Sequence, residues 1–316
     1  MSDPEAPSTA GSGADAATAV FVEHRELLFA MVYNLLGSVA DTEDVLQETW
    51  LAWLPRSTAA DADPVAHPRA YLVRIAVNRA LARQNALSRS RETYVGPWLP
   101  EPLVEALPEP SAADGAEAAE RAESVSMALL VVLETLTPLE RAVFVLHEVF
   151  GYPHQEIAQI LTRSPASVRQ LAHRAREHVQ ARRPRFRADP RLRREVTERF
   201  ATAVSGGDLA ALMDLLAPEV TLWADGGGKA VAAGRRPVHG REQVARLLAT
   251  RASQVAGPVD VRFRQVNGDP SAVLFLGGAP FAVLVLDLVP QSGQVAGIYF
   301  VTNPDKLTRL EGENHP

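Results

Sequence analysis

The sequence predicts a multidomain chain, all-α over residues 20–183 and α+β beyond residue 190. Three observations lead there. Apolar residues recur at helix spacing from Val20 to about Leu87 and again from about Glu117 to Arg183. A proline-rich, acidic stretch over 95–115 separates these two helical units. After Pro190 the pattern becomes short β-rich runs, VTLWAD, VDVRFRQV, SAVLFL, FAVLVLDLV and QVAGIYFV, punctuated by Gly and Pro. At 316 residues, two or three domains are expected.

Residues 1–18 hold mostly Ala, Ser, Gly, Pro and Asp and read as a tail without a core. Phe21, Leu27, Leu28, Met31, Val32, Leu35 and Leu36 mark the inner face of a first helix. Asp41 is the expected cap of a second, with Val45, Leu46, Trp50, Trp53 and Leu54 turned inward and Pro55 ending it. A third is expected from Arg69 to Ala86. Thr137, Pro138 and Glu140 form a capping-box sequence with proline at the first helical position. In the last part, helices over about 191–204, 208–216 and 240–252 are expected to pack on one curved sheet of consecutive antiparallel strands.

Residues 154–178 carry the strongest signal. HQEIAQIL, the turn TRSP and ASVRQLAHRAREH read as a helix-turn-helix, whose second helix enters the DNA major groove. Ser164 caps that helix and Pro165 opens it, aligning N–H groups suited to a phosphate. Val168, Leu171, Ala172 and Ala175 form the inward face. Ser167, Arg169, Gln170, His173, Arg174 and Arg176 remain for DNA.

The net charge of −6 does not oppose this reading, because charge is partitioned. Arg163–Arg187 holds eight arginines and one acid, and Arg69–Arg91 six arginines and no acid. Between them, Leu99–Glu123 holds seven acids and one arginine. Two basic surfaces flanking an acidic connector fit a protein touching DNA twice, although two solvated helix faces have the same composition. The acids, Glu101, Glu105 and Glu109 among them, are suited to repelling or mimicking DNA.

Other chemistry is narrowed. The chain has no cysteine, so disulfides, thiol catalysis and thiolate–zinc sites are excluded. No apolar run reaches membrane-spanning length, and a cytoplasmic protein without membrane contact is expected. Asp225, His239, Asp260 and Asp287 form no recognisable triad, carboxylate pair or metal spacing. No enzyme activity, cofactor or metal is expected.

Three segments, DTEDVLQETWLAW, RAYLVRIAVNRAL and the run from LTPLERAVF to LAHRAR, resemble in order and spacing the extracytoplasmic-function sigma factors of bacterial RNA polymerase. The resemblance covers residues 20–183 and implies core polymerase and promoter DNA as partners. It divides the chain into a tail (1–18), a region 2 helical bundle (19–94), a linker (95–120), a region 4 helix-turn-helix domain (121–187) and a C-terminal domain (188–316).

In the family, the region 2 helix carrying Asp44, Gln47, Glu48, Trp50 and Trp53 would bind the polymerase. Its acids and tryptophans also read simply as capping and core. The resemblance assigns Asn78 to the pocket for a flipped −10 base, with Arg74, Arg79 and Arg83 holding phosphates or single-strand bases. The region 4 helix would read the −35 element.

The extension past region 4 departs from most members. Together with WLPEP (Trp98, Leu99, Pro100, Glu101, Pro102), DGGGK (Asp225, Gly226, Gly227, Gly228, Lys229) and NPDKL (Asn303, Pro304, Asp305, Lys306, Leu307), it resembles the subgroup with a fused, cone-shaped SnoaL-like domain. This implies regulation in cis, through intramolecular contact of that domain with the sigma domains and linker. The alternative is a helix-turn-helix regulator carrying a ligand-sensing or enzymatic cone. DGGGK is not a P-loop, since Ala230 stands where Ser or Thr is required. Trp98, between Pro97 and Pro100, needs a surface on which to bury.

Overall fold

A computed structural model describes residues 9–59, 63–91, 93–105, 125–182, 189–230, 234–252, 254–255 and 257–313. The chain divides into two compact units, Met1–Ser88 with Leu136–His178, and Arg89–Thr135 with Val179–Pro316.

The first unit is helical. Helix α1 spans Thr9–Leu36, α2 Val39–Thr58 and α3 Pro68–Arg91. The expectation of a tail up to residue 18 is corrected from Thr9 onward. Ala17 is buried, and its carbonyl accepts the Trp53 indole N–H at 2.9 Å. The cap of α2 is Ser38 rather than Asp41, its Oγ accepting from Asp41 N. Pro55 does not end α2 but lies in its last turn. The hydrogen bond it forgoes there is to the carbonyl of Leu51, an exposed residue that water can serve.

The second half of this unit follows the sequence closely. Thr137 and Glu140 close the capping box of α5, Pro138–Phe144. That helix continues into a π turn, Val145–Val149, and Gly151 at φ 68° reverses the chain. Helices α6, His154–Ile160, and α7, Pro165–Arg182, form the helix-turn-helix. Its turn places Thr162 at φ 53°, a strained conformation for a β-branched residue.

The second unit is α+β. The segment read as linker contributes β1, Val104–Glu105, and helix α4 covers Met127–Leu133. Then follow α8 (Pro190–Gly206), α9 (Leu209–Leu215), β2 (Leu216–Asp225), β3 (Val238–His239), α10 (Arg241–Ala252), β4 (Val259–Val266), β5 (Asp269–Leu276), β6 (Ala279–Leu288) and β7 (Val295–Val301).

The sheet order is β1-β4-β5-β6-β7-β2-β3. The run β4 to β7 is antiparallel as expected, but β2 joins β7 in parallel. Both faces are covered. Leu284, Leu286 and Leu288 of β6 face α8–α10 around Phe200, Leu212 and Val244. Their neighbours Val283 and Val285 face a second core with Leu99, Met127, Ala128, Leu307 and Leu310. Two-sided burial explains why FAVLVLDLV is nearly continuously apolar instead of alternating. Helix α8 is tied to β5 by a buried Arg193–Asp269 ion pair at 3.0 Å.

Candidate functional site

In the first unit, α7 divides as its periodicity requires. Val168, Leu171, Ala172 and Ala175 are buried. Arg169, Gln170, His173 and Arg174 are exposed, and Ser167 and Arg176 are half-buried. The exposed Ser164 caps the helix, its Oγ accepting Ser167 N at 3.2 Å. An open groove of ≈ 920 Å³ has among its lining residues Arg74 of α3 and Gln155, Gln159, Arg163, Ser164 and Ser167. A second, of ≈ 430 Å³, is lined by Tyr71, Arg74, Ile75, Asn78, Arg79 and Ala82.

Most of the arginines in question hold acids of their own unit. Arg79 pairs with Glu48 at 2.6 Å, and Arg83 with Asp41 and Asp44 at 2.7 and 2.8 Å. Arg174 pairs with Glu140 at 3.2 Å and Arg176 with Glu148 at 2.6 Å. The hydrogen bond to Asp41 is the main cause holding the Arg83 guanidinium above its usual pKa. Pairs exposed on both sides, such as Arg79–Glu48 and Arg83–Asp44, contribute about 0–1 kcal/mol and are screened by salt, so a phosphate can displace the carboxylate, whereas Asp41 and Glu140 are largely buried.

On α2, Asp44, Gln47 and Glu48 are exposed. Trp50 is half-buried, its ring centroid 5.3 Å from that of Phe21. Trp53 is 3% exposed with its N–H satisfied internally, so its placement on a polymerase-binding surface is corrected to a core role. The sequence reading missed Leu51, which is 61% exposed and lies one turn beyond Gln47 and Glu48. Its spacing from them is the signal that could have found it.

His154, opening α6, lies against His147 with ring centroids 4.2 Å apart. Burial, then His147, Arg169 and Arg176, lower its pKa, with Glu148 opposing. The unfolded chain therefore takes this proton before the folded one does. The stability His154 contributes is present above about pH 6.5 and is lost as pH falls through its lowered folded value. Thermal unfolding of the full chain between pH 7.5 and 5.5 is expected to show a smaller fall in Tm for His154→Gln than for wild type. Equal falls would refute this assignment.

In the second unit, the three singled-out motifs meet at Asp225. This residue ends β2 and is fully buried. Its Oδ1 accepts Tyr94 O–H at 2.6 Å and Gly227 N–H at 3.1 Å. Its Oδ2 accepts Leu99 N–H at 2.8 Å and Lys306 Nζ at 2.7 Å. Lys306 also donates to the Leu99 carbonyl and sits 4.3 Å from the Trp98 ring centroid. The Arg91 guanidinium lies 3.6 Å from that centroid. Burial lowers the Lys306 pKa against the opposing pull of Asp225. Burial, then the bond to Asp225, raises that of Tyr94.

Local geometry makes this junction possible. Asn303 Nδ2 donates to Tyr94 Oη at 2.9 Å, and its Oδ1 accepts from Asp305 N at 3.1 Å. The Asn303 amide also packs against Gly227, where a Cβ would lie 2.5 Å from Nδ2 and where φ is 60°. Only glycine fits both constraints. Lys229 and Asp305 join the two loops at 2.6 Å on the surface. Leu99, Pro100, Pro102 and Leu307 are buried, and Glu101 lies 4.0 Å from Arg309. Glu105 is exposed in β1, and Glu109 lies outside the described residues.

The sequence reading missed Tyr94 and Arg91. A tyrosine four residues before a linker tryptophan, with a hydroxyl that needs a partner when buried, is the available signal. The remaining polar candidates stand apart from the junction. His239 Nδ1 contacts Thr221 Oγ1 at 3.0 Å, Asp260 pairs with Arg262 at 2.9 Å, and Asp287 lies on β6 opposite Gly297. Among the described residues, no group of three or more His, Cys, Asp or Glu is placed to hold a metal. Nor is any described helix long and apolar enough to cross a membrane.

Two family models match the chain. Residues 20–90 match the model of sigma-70 region 2, and residues 126–179 that of sigma-70 region 4. The chain is 37% identical to the ECF RNA polymerase sigma factor SigJ of Mycobacterium tuberculosis, over 90% of this chain and 91% of that protein. It is 30% identical to the probable ECF RNA polymerase sigma factor SigI of the same organism, over 95% and 97%. The crystal structure of M. tuberculosis SigJ superposes with a TM-score of 0.70 at 34% identity, covering 92% of this chain and 98% of that one.

Proposed function

We propose, from the premise that the chain belongs to the extracytoplasmic-function sigma factors of RNA polymerase, a division of labour among its parts. As a sigma factor it directs core polymerase to promoters and acts in transcription initiation. In our reading Asn78, Arg74, Arg79 and Arg83 engage the −10 element. The α7 face of Ser164, Ser167, Arg169, Gln170, His173, Arg174 and Arg176 reads the −35 element. Asp44, Gln47, Glu48 and Leu51 present the surface of α2 to core polymerase, with Trp50 at its margin.

We further read the C-terminal domain as a regulator in cis that acts through the linker. The single observation carrying this reading is the buried Asp225 carboxylate, which binds Tyr94, Leu99 and Lys306 together. DNA binding requires none of these contacts. Tethering the linker to the sheet restricts the path between region 2 and region 4, and hence the separation at which two promoter elements can be held. Asp225 serves as a structural acceptor in this reading, since the donors around it leave it no role as a base. The protein works in the cytoplasm, where the polymerase is.

Run-off transcription with core polymerase tests the proposal. The full chain is expected to be less active on its promoter than chains shortened from the C-terminus toward residue 190. Equal activity of full-length and shortened chains would sink the regulatory reading.

A further inference from the structure

The chain carries thirty arginines but only two lysines, Lys229 and Lys306. Both lie at the Asp225 junction, one in each loop, and they are paired crosswise. Lys306 Nζ donates to Asp225 Oδ2 at 2.7 Å, and Lys229 Nζ donates to the two Asp305 carboxylate oxygens at 2.7 and 2.6 Å. Ion pairs elsewhere among the described residues are made by arginine or histidine. The difference is chemical. A guanidinium keeps its charge in the presence of acyl donors, whereas a lysine amine accepts the acyl group and loses its charge. The side-chain amines of this chain are thus confined to the clasp on the linker.

The two amines differ in access. The Lys229 side chain is 56% exposed and that of Lys306 12%. Lys306 Nζ is enclosed by Asp225, the Leu99 carbonyl and the rings of Trp98 and Tyr94, 4.3 and 5.5 Å from their centroids. Three of these four groups belong to the linker segment. An acyl donor therefore reaches Lys229 directly, and Lys306 only when the linker lifts.

We propose that Lys306 is an acylation site for activated acyl groups, acyl phosphates or acyl thioesters, and that its modification holds the junction open. The ammonium first gives one proton to solvent. The Nζ lone pair then attacks the acyl carbon. The bond from that carbon to phosphate oxygen or thiol sulfur breaks, and the leaving group departs with the electron pair and takes up a second proton. The product amide is neutral and bulkier than the ammonium. Redocking the linker on it would bury the Asp225 carboxylate without its cation, in a space already filled by Leu99 and Trp98. Lys229 has the lesser part, since its acylation removes only an exposed, salt-screened pair. The effect on transcription rests on the reading of the C-terminal domain as a regulator in cis, whereas the modification itself does not.

The test treats the full chain with acetyl phosphate or with acetyl-CoA and follows both lysines by mass spectrometry. Reaction with either donor identifies the source of the acyl group. Lys306 is expected to react roughly tenfold or more slowly than Lys229, because it waits for local opening. In Asp225→Ala, which frees the linker, its rate should rise toward that of Lys229. Chains acetylated at Lys306 should be cut by chymotrypsin between residues 93 and 105, where untreated chains are protected. In Lys229→Arg, where Lys306 is the sole lysine, acetylation should still bring that cleavage.

An unmodified Lys306 with both donors, in wild type and in Asp225→Ala alike, would overturn the proposal. So would a linker still protected once Lys306 is acetylated, or equal rates at the two lysines of the wild-type chain. Should Asp225→Ala not fold, as judged by circular dichroism, cleavage in Lys229→Arg decides, because that substitution lies on an exposed side chain and keeps its charge. Acetylation of Lys306 with cleavage of the linker but unchanged run-off transcription would instead sink the regulatory reading and leave the acylation site standing.

Discussion

Replacing Asp225 by Ala is expected to release the linker from the C-terminal sheet and to raise transcription from the full-length chain toward that of the shortened one. The carboxylate accepts from Tyr94, Gly227, Leu99 and Lys306, so its removal strands all four donors at once. The worst placed is Lys306, whose side chain is only 12% exposed and whose remaining partners are the Leu99 carbonyl and the aromatic rings of Trp98 and Tyr94. Breaking a buried ion pair from one side costs about 3–5 kcal/mol. The burial of one tryptophan surface, worth a few kcal/mol, does not offset that.

Limited proteolysis should show cleavage between residues 93 and 105 in Asp225→Ala and protection in wild type. The double variant Asp225→Ala/Lys306→Met, which removes the stranded cation, should recover part of the protection. Unchanged protection in the single variant would show that the junction does not hold the linker.

Replacing Asn78 by Ala is expected to slow promoter opening roughly 10- to 100-fold, the weight of the 1–3 kcal/mol carried by a good amide–base contact. Initial closed binding should change little, because Arg74, Arg79 and Arg83 supply the phosphate contacts and do not depend on the amide. The pairs of Arg79 with Glu48 and of Arg83 with Asp44 are exposed and exchangeable, while that of Arg83 with Asp41 is part-buried. Permanganate reactivity of the −10 thymines reports opening, and gel retardation at 0 °C reports the closed complex. If Asn78→Ala lowered both equally, the residue would be a general affinity contact rather than a base reader.

Much of this was legible in the sequence where the physics is local. Caps and helix faces depend on residues three or four apart. Thr137 with Glu140 and the buried set Val168, Leu171, Ala172 and Ala175 therefore needed no tertiary information. The same local reasoning failed where distant packing decided the outcome. Trp50 and Trp53 have the same chemistry and lie on one helix. Only the docking of α1 shows that the second is buried by the Ala17 turn while the first stays at the margin. Pro55 reads as a stop, yet so near the helix end only one exposed carbonyl loses its partner.

The sequence by itself determined the order of all-α and α+β parts, the helix-turn-helix and the three motifs by which the chain resembles the subgroup with a fused C-terminal domain. Only the tertiary structure decided that these motifs are one object. Asp225 and Leu99 are 126 residues apart and Tyr94 and Asn303 209 apart, and such separations leave no periodic trace. Tertiary structure also decided that β2 pairs in parallel with β7, and that the sheet's second face is covered by Leu99, Met127 and Ala128. The reason is common to all three. Hydrogen-bond donors and apolar faces announce in sequence that they need partners, but which partner satisfies them is settled by the chain's path in space.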